Sequence, residues 1–525
     1  MPSIFNDVIG PVMRGPSSSH TAASHRIATM IRQFCSQEYG EVLVEFDRHG
    51  SLATTYEGQG SAMGLISGFL GLSILDREII RFKELAKERE LNIRFRITDI
   101  ENPHPNTYKI SVEKANRESD SFVAISTGGG MIEIININGY EVSVKGDSYE
   151  ALVFFEDSSS SEVENAFNNL RKQIDHSEIF LCKNASSNSL INIKSGEPFL
   201  EKEKVIIGNL PGVSKFHQID PVMPVLSGVN REMPFSDAVE MLLYAEKEHL
   251  DLAELAIRYE SARAGTDRSK VLSMMHEIVL HIKNSVNEGL NGTVYKDRIL
   301  GQQSHLILNA ERSGKIFLSP MNRVIANITA LMEAKSSMGI IVAAPTAGSS
   351  GVLGGTLLAV AEESSFDDIQ ITRAFLAAGM IGVFIADKYT FAAEEGGCQV
   401  ECGAASGMTA AGLVQLMGGT ASEAVNAASM ALQNMLGLIC DPVADRVEVP
   451  CLGKNILGAN NALSSATMSM AGFDVVIPLD EVICAMKSVG ESLPSSLCCT
   501  GLGGLSVTPT ALKIQEKLKM NDPKS

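Results

Sequence analysis

A chain of 525 residues with 45% hydrophobic and 20% charged content is too long for one ordinary core, so two to four domains are expected. The net charge of −18 argues against a nucleic-acid surface or an anionic-membrane surface. No run of 18 apolar residues is uninterrupted, since Pro345, Thr346 and a Gly/Ser run break the stretch near 340–360. The first residues lack a basic region followed by an apolar one, and the expected location is cytoplasmic.

Residues 1–140 mix strands and helices. EVLVEF (41–46) and LNIRFRI (91–97) alternate and are β-branched, which predicts strands. GSAMGLISGFLGL (60–72) predicts a helix with a small-residue face, and two strand-like runs flank Gly128–Gly130. Residues 141–218 predict a smaller unit. There ALVFFED, SEIFLCK, NSLINIKS and KFHQI are strands, SSEVENAFNNLRKQI is a Ser-capped amphipathic helix, and a β-α-β-β-α-β sandwich follows. From 219 to 525 strand signals fade, and Ala, Met, Leu and Gly dominate long 3.6-period segments. The expected fold class is multidomain α+β, with an N-terminal α+β domain, a small α/β sandwich and a C-terminal, mainly helical catalytic domain.

Nine cysteines are present, and six of them lie between Cys398 and Cys499. An odd, clustered set suggests a cofactor, although small buried cysteines also fill helical cores. Cys398 follows Gly-Gly, Cys440 precedes Asp-Pro, and Cys451 follows Pro450. A thiolate at such a break can be aimed at a metal. Cys402 stands four residues after Cys398, on the same helical face, and is the runner-up ligand. Cys35 and Cys484 read as packing residues, and the Cys498-Cys499 pair reads as packing or a redox accident.

GPSSSHT (15–21) offers three hydroxyls, an imidazole and turn amides, and a helix beginning after Pro16 makes an anion site of its free N–H groups. An ordinary serine cap explains the same pattern. ISTGGG (125–130) is a tight turn or a carboxylate cradle. It is no G-x-G-x-x-G, and no Walker lysine follows. The candidate substrate-binding residues are Ser17, Ser18, Thr21, Ser126, Thr127, Gly128, Gly129, Thr346 and Ser349. His20 is the candidate base, being the ionisable group of the leading loop, with the Ser19 hydroxyl beside it.

With SMGIIVAAPTAGSSG (337–351), GGCQ (396–399), LGLICDPVA (436–444), VEVPC (447–451) and LGGLSVTPT (502–510), these strings resemble the iron–sulfur-dependent L-serine dehydratases over nearly the whole chain. The resemblance implies β- and α-type parts fused in one chain, and a [4Fe–4S] cluster held by Cys398, Cys440 and Cys451. It also implies that the GPSSSHT loop covers that cluster. Such a family eliminates water from L-serine to give pyruvate and ammonia without pyridoxal phosphate. An iron with no protein thiolate is an open Lewis-acid site suited to a poor leaving group. The resemblance makes the middle unit a degenerate ACT-type module, expected to serve a homodimer. Small-molecule amino acids are the expected partners, with no nucleic acid and no membrane.

Three departures stand out. Many relatives carry Gly-His-Gly-Thr-Asp where this chain has Gln59, Ser61 and Ala62. Gln59 replaces an ionisable group by a neutral hydrogen-bonding one. An Arg-Glu-Thr near the C-terminus becomes Cys498-Cys499-Thr500, and no cysteine ends the sequence. The alternatives are therefore a lyase on the same scaffold for L-cysteine or L-threonine, or a non-catalytic iron–sulfur redox sensor.

Overall fold

The structure is a computed structural model. It describes residues 1–520 except 11, 16, 37–39, 101–103, 115–117, 157, 175–176, 187, 227–231 and 296–297. Two compact units emerge, one of Met1–Ser17 with Glu232–Ser525 and one of Ser18–Arg231. The α+β class holds, with the large sheets in the N-terminal half and helices filling the C-terminal half.

In the smaller unit a six-stranded sheet contains the predicted strands at Glu41–Asp47 and Asn92–Thr98, paired in parallel. Its remaining neighbours pair antiparallel through Thr107–Glu113, Ser119–Gly128, Met131–Ile137 and Tyr140–Val144. The Ser18–Phe34 helix covers this sheet with Ile27, Ile31 and Phe34, which meet Val42, Val44, Phe122 and Ile134 in one apolar core. The predicted helix at 60–72 forms over Ser61–Phe69 and packs on Ser18–Phe34. Close approach requires Gly64, where a Cβ would lie 2.3 Å from the Thr21 carbonyl oxygen.

The β-α-β-β-α-β order is present over Tyr149–Phe155, Ser160–Gln173, Ser177–Lys183, Ser189–Ser195, Glu201–Gly208 and Lys215–Ile219. The last strand pairs with the first, and the third lies between the first and second, all antiparallel. Ser159 caps the first of these helices through a capping box with Glu162. Asp157, in the polar run before it, lies outside the described residues.

Glu150 begins this sheet fully buried, with Ser148 Oγ donating to its Oε1 at 3.0 Å and Lys194 Nζ 3.6 Å away. Burial outweighs the lysine and pushes the carboxyl up to about 7. The folded chain thus holds this proton more tightly than the unfolded chain does. Stability falls as pH rises from about 4.5 to about 7, and the loss persists above that window. Glu150→Gln is expected to gain about 1–3 kcal/mol over wild type at pH 8 and nothing below pH 4. Denaturant midpoints across pH measure this, and a constant gap at all pH values contradicts it.

The larger unit is built on helices. Its centre is Cys402–Leu416, nearly all of it buried and surrounded by Ser350–Glu363, Asp368–Lys388, Ala421–Gln433 and Cys451–Met470. Gly403, Ala404, Ala405, Gly407, Ala410, Ala411 and Gly412 leave room for this contact. A Cβ at Gly412 would lie 3.1 Å from the Ala374 carbonyl oxygen. Asp368–Lys388 is long and apolar enough to cross a membrane by length and composition, but most of its apolar stretch is buried among these neighbours. The first residues of the chain pack here too. Ser3 Oγ and the Ile4 N–H donate to Glu260 at 2.6 and 2.8 Å. Val12–Arg14 pairs antiparallel with Ile340–Val342.

Candidate metal centre

Cys398 sits in a short 3-10 turn at Gly397–Gln399, directly before the central helix. Gly397 has φ +69°, and a Cβ there would lie 2.8 Å from Leu493 Cδ1 and 2.9 Å from the Leu438 carbonyl oxygen. The turn therefore needs glycine to bring Cys398 against the 438–440 segment. Gln399 locks this junction. Its N–H donates to Leu438 O at 3.0 Å, and its side chain accepts from Gly437 N–H at 2.9 Å. Cys440 lies in a bridge with Cys498, where Cys440 N–H donates to Leu497 O and Cys499 N–H to Cys440 O, each at 2.8 Å. Cys451 opens the Cys451–Met470 helix immediately after Pro450.

These segments gather the thiols into one buried site. Cys398 Sγ, Cys440 Sγ and a Glu401 carboxylate oxygen lie within 4.8 Å of one another. Cys451 stands outside that group but within the electrostatic reach of Cys398. Cys402 and Cys440 both act on the Cys398 thiol, and Cys499 acts on Cys440. The runner-up ligand thus adjoins the site. The vicinal pair packs against the same site, with Cys498 buried and half-buried Cys499 against the Cys398–Cys440 cluster.

The electrostatics single out one sulfur. Bonds from Cys402 and Cys440, with the Lys454 ammonium nearby, hold the Cys398 thiol well below its ordinary value. The same bonds push Cys440 and Cys402 up, and burial pushes Cys451 up. Lys454 donates to Asp441 Oδ1 and Ile439 O, each at 2.7 Å, and stands 3.9 Å from Cys398 Sγ. Asp441 Oδ2 accepts the Leu505 N–H at 2.9 Å, which ties the LGGLSVTPT segment to the cysteine loop. Asn455 Nδ2 donates to Gly348 O and Cys451 O at 2.8 Å each and lies 3.8 Å from Cys402 Sγ. Burial, then the Cys398 charge, pushes the Glu401 carboxyl up to about 8.

Of the expected substrate residues in this unit, Thr346 reaches the site, since its Oγ1 donates to Glu401 Oε1 at 2.7 Å. Fully buried Ser349 is engaged within its own loop, 3.1 Å from Thr346 Oγ1 and 3.3 Å from Ala344 O. Ser17 ends the N-terminal segment that belongs to this unit, half-buried.

In the smaller unit Ser18, Ser19, His20 and Thr21 form the first turn of Ser18–Phe34. Ser18 Oγ and Thr21 are buried, while Ser19 and His20 are half-buried. Burial lowers the His20 imidazole to about 4. Ser126 is buried and Thr127 exposed at the end of a strand, and Gly128, Gly129 and Gly130 all have positive φ. The turn and the helix are joined, because Arg26 donates to the Gly130 carbonyl. Gln59 is half-buried in the turn before Ser61–Phe69, and Ala62 is buried within that helix. Cys35 lies in the core as expected. Cys484 does not pack, since its position on Leu479–Ser492 faces outward.

The thiol set lies within the stretch, residues 247–506, that matches the family model for the serine dehydratase alpha chain. The chain is 36% identical over 285 residues to a probable L-serine dehydratase alpha chain of Bacillus subtilis, covering 54% of this chain and 95% of that protein. The chain belongs to the serine dehydratase family. A probable alpha chain of Latilactobacillus sakei is 50% identical over 198 residues, which are 37% of this chain and 94% of that protein. A probable beta chain of Bacillus subtilis is 39% identical over 155 residues, 30% of this chain and 69% of that protein. Both kinds of serine dehydratase chain thus have a counterpart in this one polypeptide.

Sequence reasoning missed Glu401, Lys335, Lys454 and Asn455. Glu401 carried a signal, being an acid inside Cys398-Gln-Val-Glu-Cys402 amid small apolar neighbours.

Proposed function

We propose that this chain is an L-serine ammonia-lyase, converting L-serine to pyruvate and ammonia with a [4Fe–4S] cluster held by Cys398, Cys440 and Cys451. The observation that carries the reading is the meeting of buried Cys398 and Cys440 with half-buried Glu401, their ligand atoms within 4.8 Å of one another, inside the family-matched stretch. The donor set fits the group. Soft sulfurs surrounded by apolar Ala393 and Leu438 favour iron–sulfur or zinc over hard cations. One sulfur is already acidic, and thiolates are what metals bind.

When bound, the cluster supplies a Lewis-acid iron that assists departure of the substrate hydroxyl. His20 is assigned removal of the α-proton, with the Ser19 hydroxyl beside it. An imidazole near 4 is neutral at physiological pH and so has a lone pair to offer. Ser17, Ser18, Thr21, Ser126, Thr127, Gly128, Gly129, Thr346 and Ser349 are assigned to the substrate's carboxylate and ammonium. Ser349 would act by shaping its loop, since its hydroxyl is occupied there. Loss of water gives aminoacrylate, which tautomerises to the imine and hydrolyses to pyruvate and ammonia. The middle unit is assigned an ACT-type role in a homodimer.

Anaerobic reconstitution, a visible spectrum, an iron count and a 2-oxo-acid assay with L-serine, L-threonine and L-cysteine test the proposal. Pyruvate from L-serine with about four irons per chain is expected. A fully loaded chain that turns over only L-cysteine moves the assignment to sulfide elimination, an alternative that Gln59 and Ala62 keep open. A loaded chain inert to all three refutes the enzymatic reading.

A further inference from the structure

Lys335 closes the Pro320–Ser336 helix with its side chain fully buried. Lysines are almost never buried unless paired. Yet among the described residues Lys335 has no carboxylate within ion-pair distance. Its Nζ donates to the carbonyl of Val447. An ammonium has three donors, and one carbonyl does not offset its removal from water.

Burial pushes its ammonium below the ordinary lysine value, and the charges that oppose this are those of the cysteine site: Cys451 first, then Glu448, Glu401 and Cys402. The two carboxylates are engaged elsewhere. Glu448 accepts the N–H groups of Ile299 and Leu300 at 2.8–3.1 Å, and Glu401 accepts from Thr346. The backbone of Lys335 is used as well. A Cβ at Gly15 would lie 2.1 Å from the Lys335 carbonyl oxygen. One residue thus supports the start of GPSSSHT on one side and the segment leading to Cys451 on the other.

We propose that Lys335 is a positioning residue of the metal centre, whose buried charge offsets that of a thiolate-bound cluster and whose hydrogen bond to Val447 fixes the segment that delivers Cys451. This rests on the cluster reading above. The argument is one of charge. Several thiolates around iron make a net anion in a dry pocket, and a buried cation with spare donors is the complement such an anion requires.

Wild type, Lys335→Met and Lys335→Arg are reconstituted anaerobically. Iron loss to a ferrous chelator, the cluster's midpoint potential and the melting of the metal-free protein are measured. Methionine keeps the volume and needs no partner, so metal-free Lys335→Met is expected to melt at or above wild type. Its iron is expected to leave roughly 10–100 times faster, in line with other residues that support metal ligands. Its potential is expected to move negative, because a positive charge has gone. Lys335→Arg is expected to restore the potential. Equal iron loss and equal potential in Lys335→Met overturn the role. So does a metal-free Lys335→Met that is unfolded while Lys335→Arg folds, which would make the lysine purely structural. A wild-type chain that takes up no cluster overturns the cofactor reading itself, and this role with it. A loaded wild type with an unaffected variant overturns the role of Lys335 alone.

Discussion

Cys398→Ala, Cys440→Ala and Cys451→Ala are each expected to abolish both the brown chromophore and pyruvate formation, whereas Cys35→Ala and Cys484→Ala leave both intact. The contrast follows from position. The first three sit at a turn, a bridge and a helix start around one buried site. Cys35 is enclosed by the smaller unit's core, and Cys484 faces outward. Cys398 differs from the other two in its electrostatics. It alone has a thiol held well below the ordinary value, and it meets Cys440, Cys402 and Lys454. Cys402→Ala separates the runner-up from the set. It adjoins Cys398 but is bonded from Asn455, so a weakened chromophore is expected and not a lost one. A full iron complement and wild-type spectrum in Cys440→Ala would refute the ligand assignment.

The second large effect is expected at the first turn of Ser18–Phe34. His20→Ala is expected to lower turnover by about 10²–10⁴-fold, the usual cost of losing a general base. Ser18→Ala is expected to raise the substrate requirement about ten- to a hundred-fold, as loss of one hydrogen bond to a charged group costs roughly 1.5–3 kcal/mol. Ser18 suits such a role because its Oγ is buried and has no partner among the described residues. Neither change is expected to disturb the cluster spectrum. The pH profile adds a sign. Burial lowers the His20 imidazole to about 4, so the acid limb it governs should lie below the ordinary imidazole range, with activity lost as pH falls towards that value. Near-normal turnover in His20→Ala would move the base to another group.

Much of the fold was legible because its signals are local. Alternation marked Glu41–Asp47 and Asn92–Thr98, and the serine cap marked the start of Ser160–Gln173. The three proposed ligand cysteines stand out in the sequence as breaks in the pattern, after Gly-Gly, before Asp-Pro and after Pro, and the structure brings Cys398 and Cys440 together with Glu401. What escaped was charge turned inward. Lys335 reads as an ordinary lysine near a helix end, and Lys454 and Asn455 read as the polar turn of an amphipathic helix. Only the packing of the helices shows that Lys335 and Asn455 are buried and that Lys454 turns toward Asp441 and Cys398. Periodicity tells which face a residue occupies, and it is silent on whether a polar face meets solvent or a thiolate. Cys484 failed the other way, because cysteine's general tendency to be buried said nothing about this helix face.

The short pairing of Val12–Arg14 with Ile340–Val342 bears on how this polypeptide can be cut. Arg14 also donates to the Met338 carbonyl at 3.1 Å, across 324 residues of sequence. Residues 18–231 are therefore an insertion within the larger unit, which is written in two distant stretches of the chain. A fragment starting at residue 232 would leave Ile340–Val342 without its partner strand. It would also uncover Gly379 and Gly382, whose faces receive Ile4 and Val8. Dissecting this enzyme into independently folding halves thus requires grafting the first 17 residues onto the second half, not merely severing the chain once.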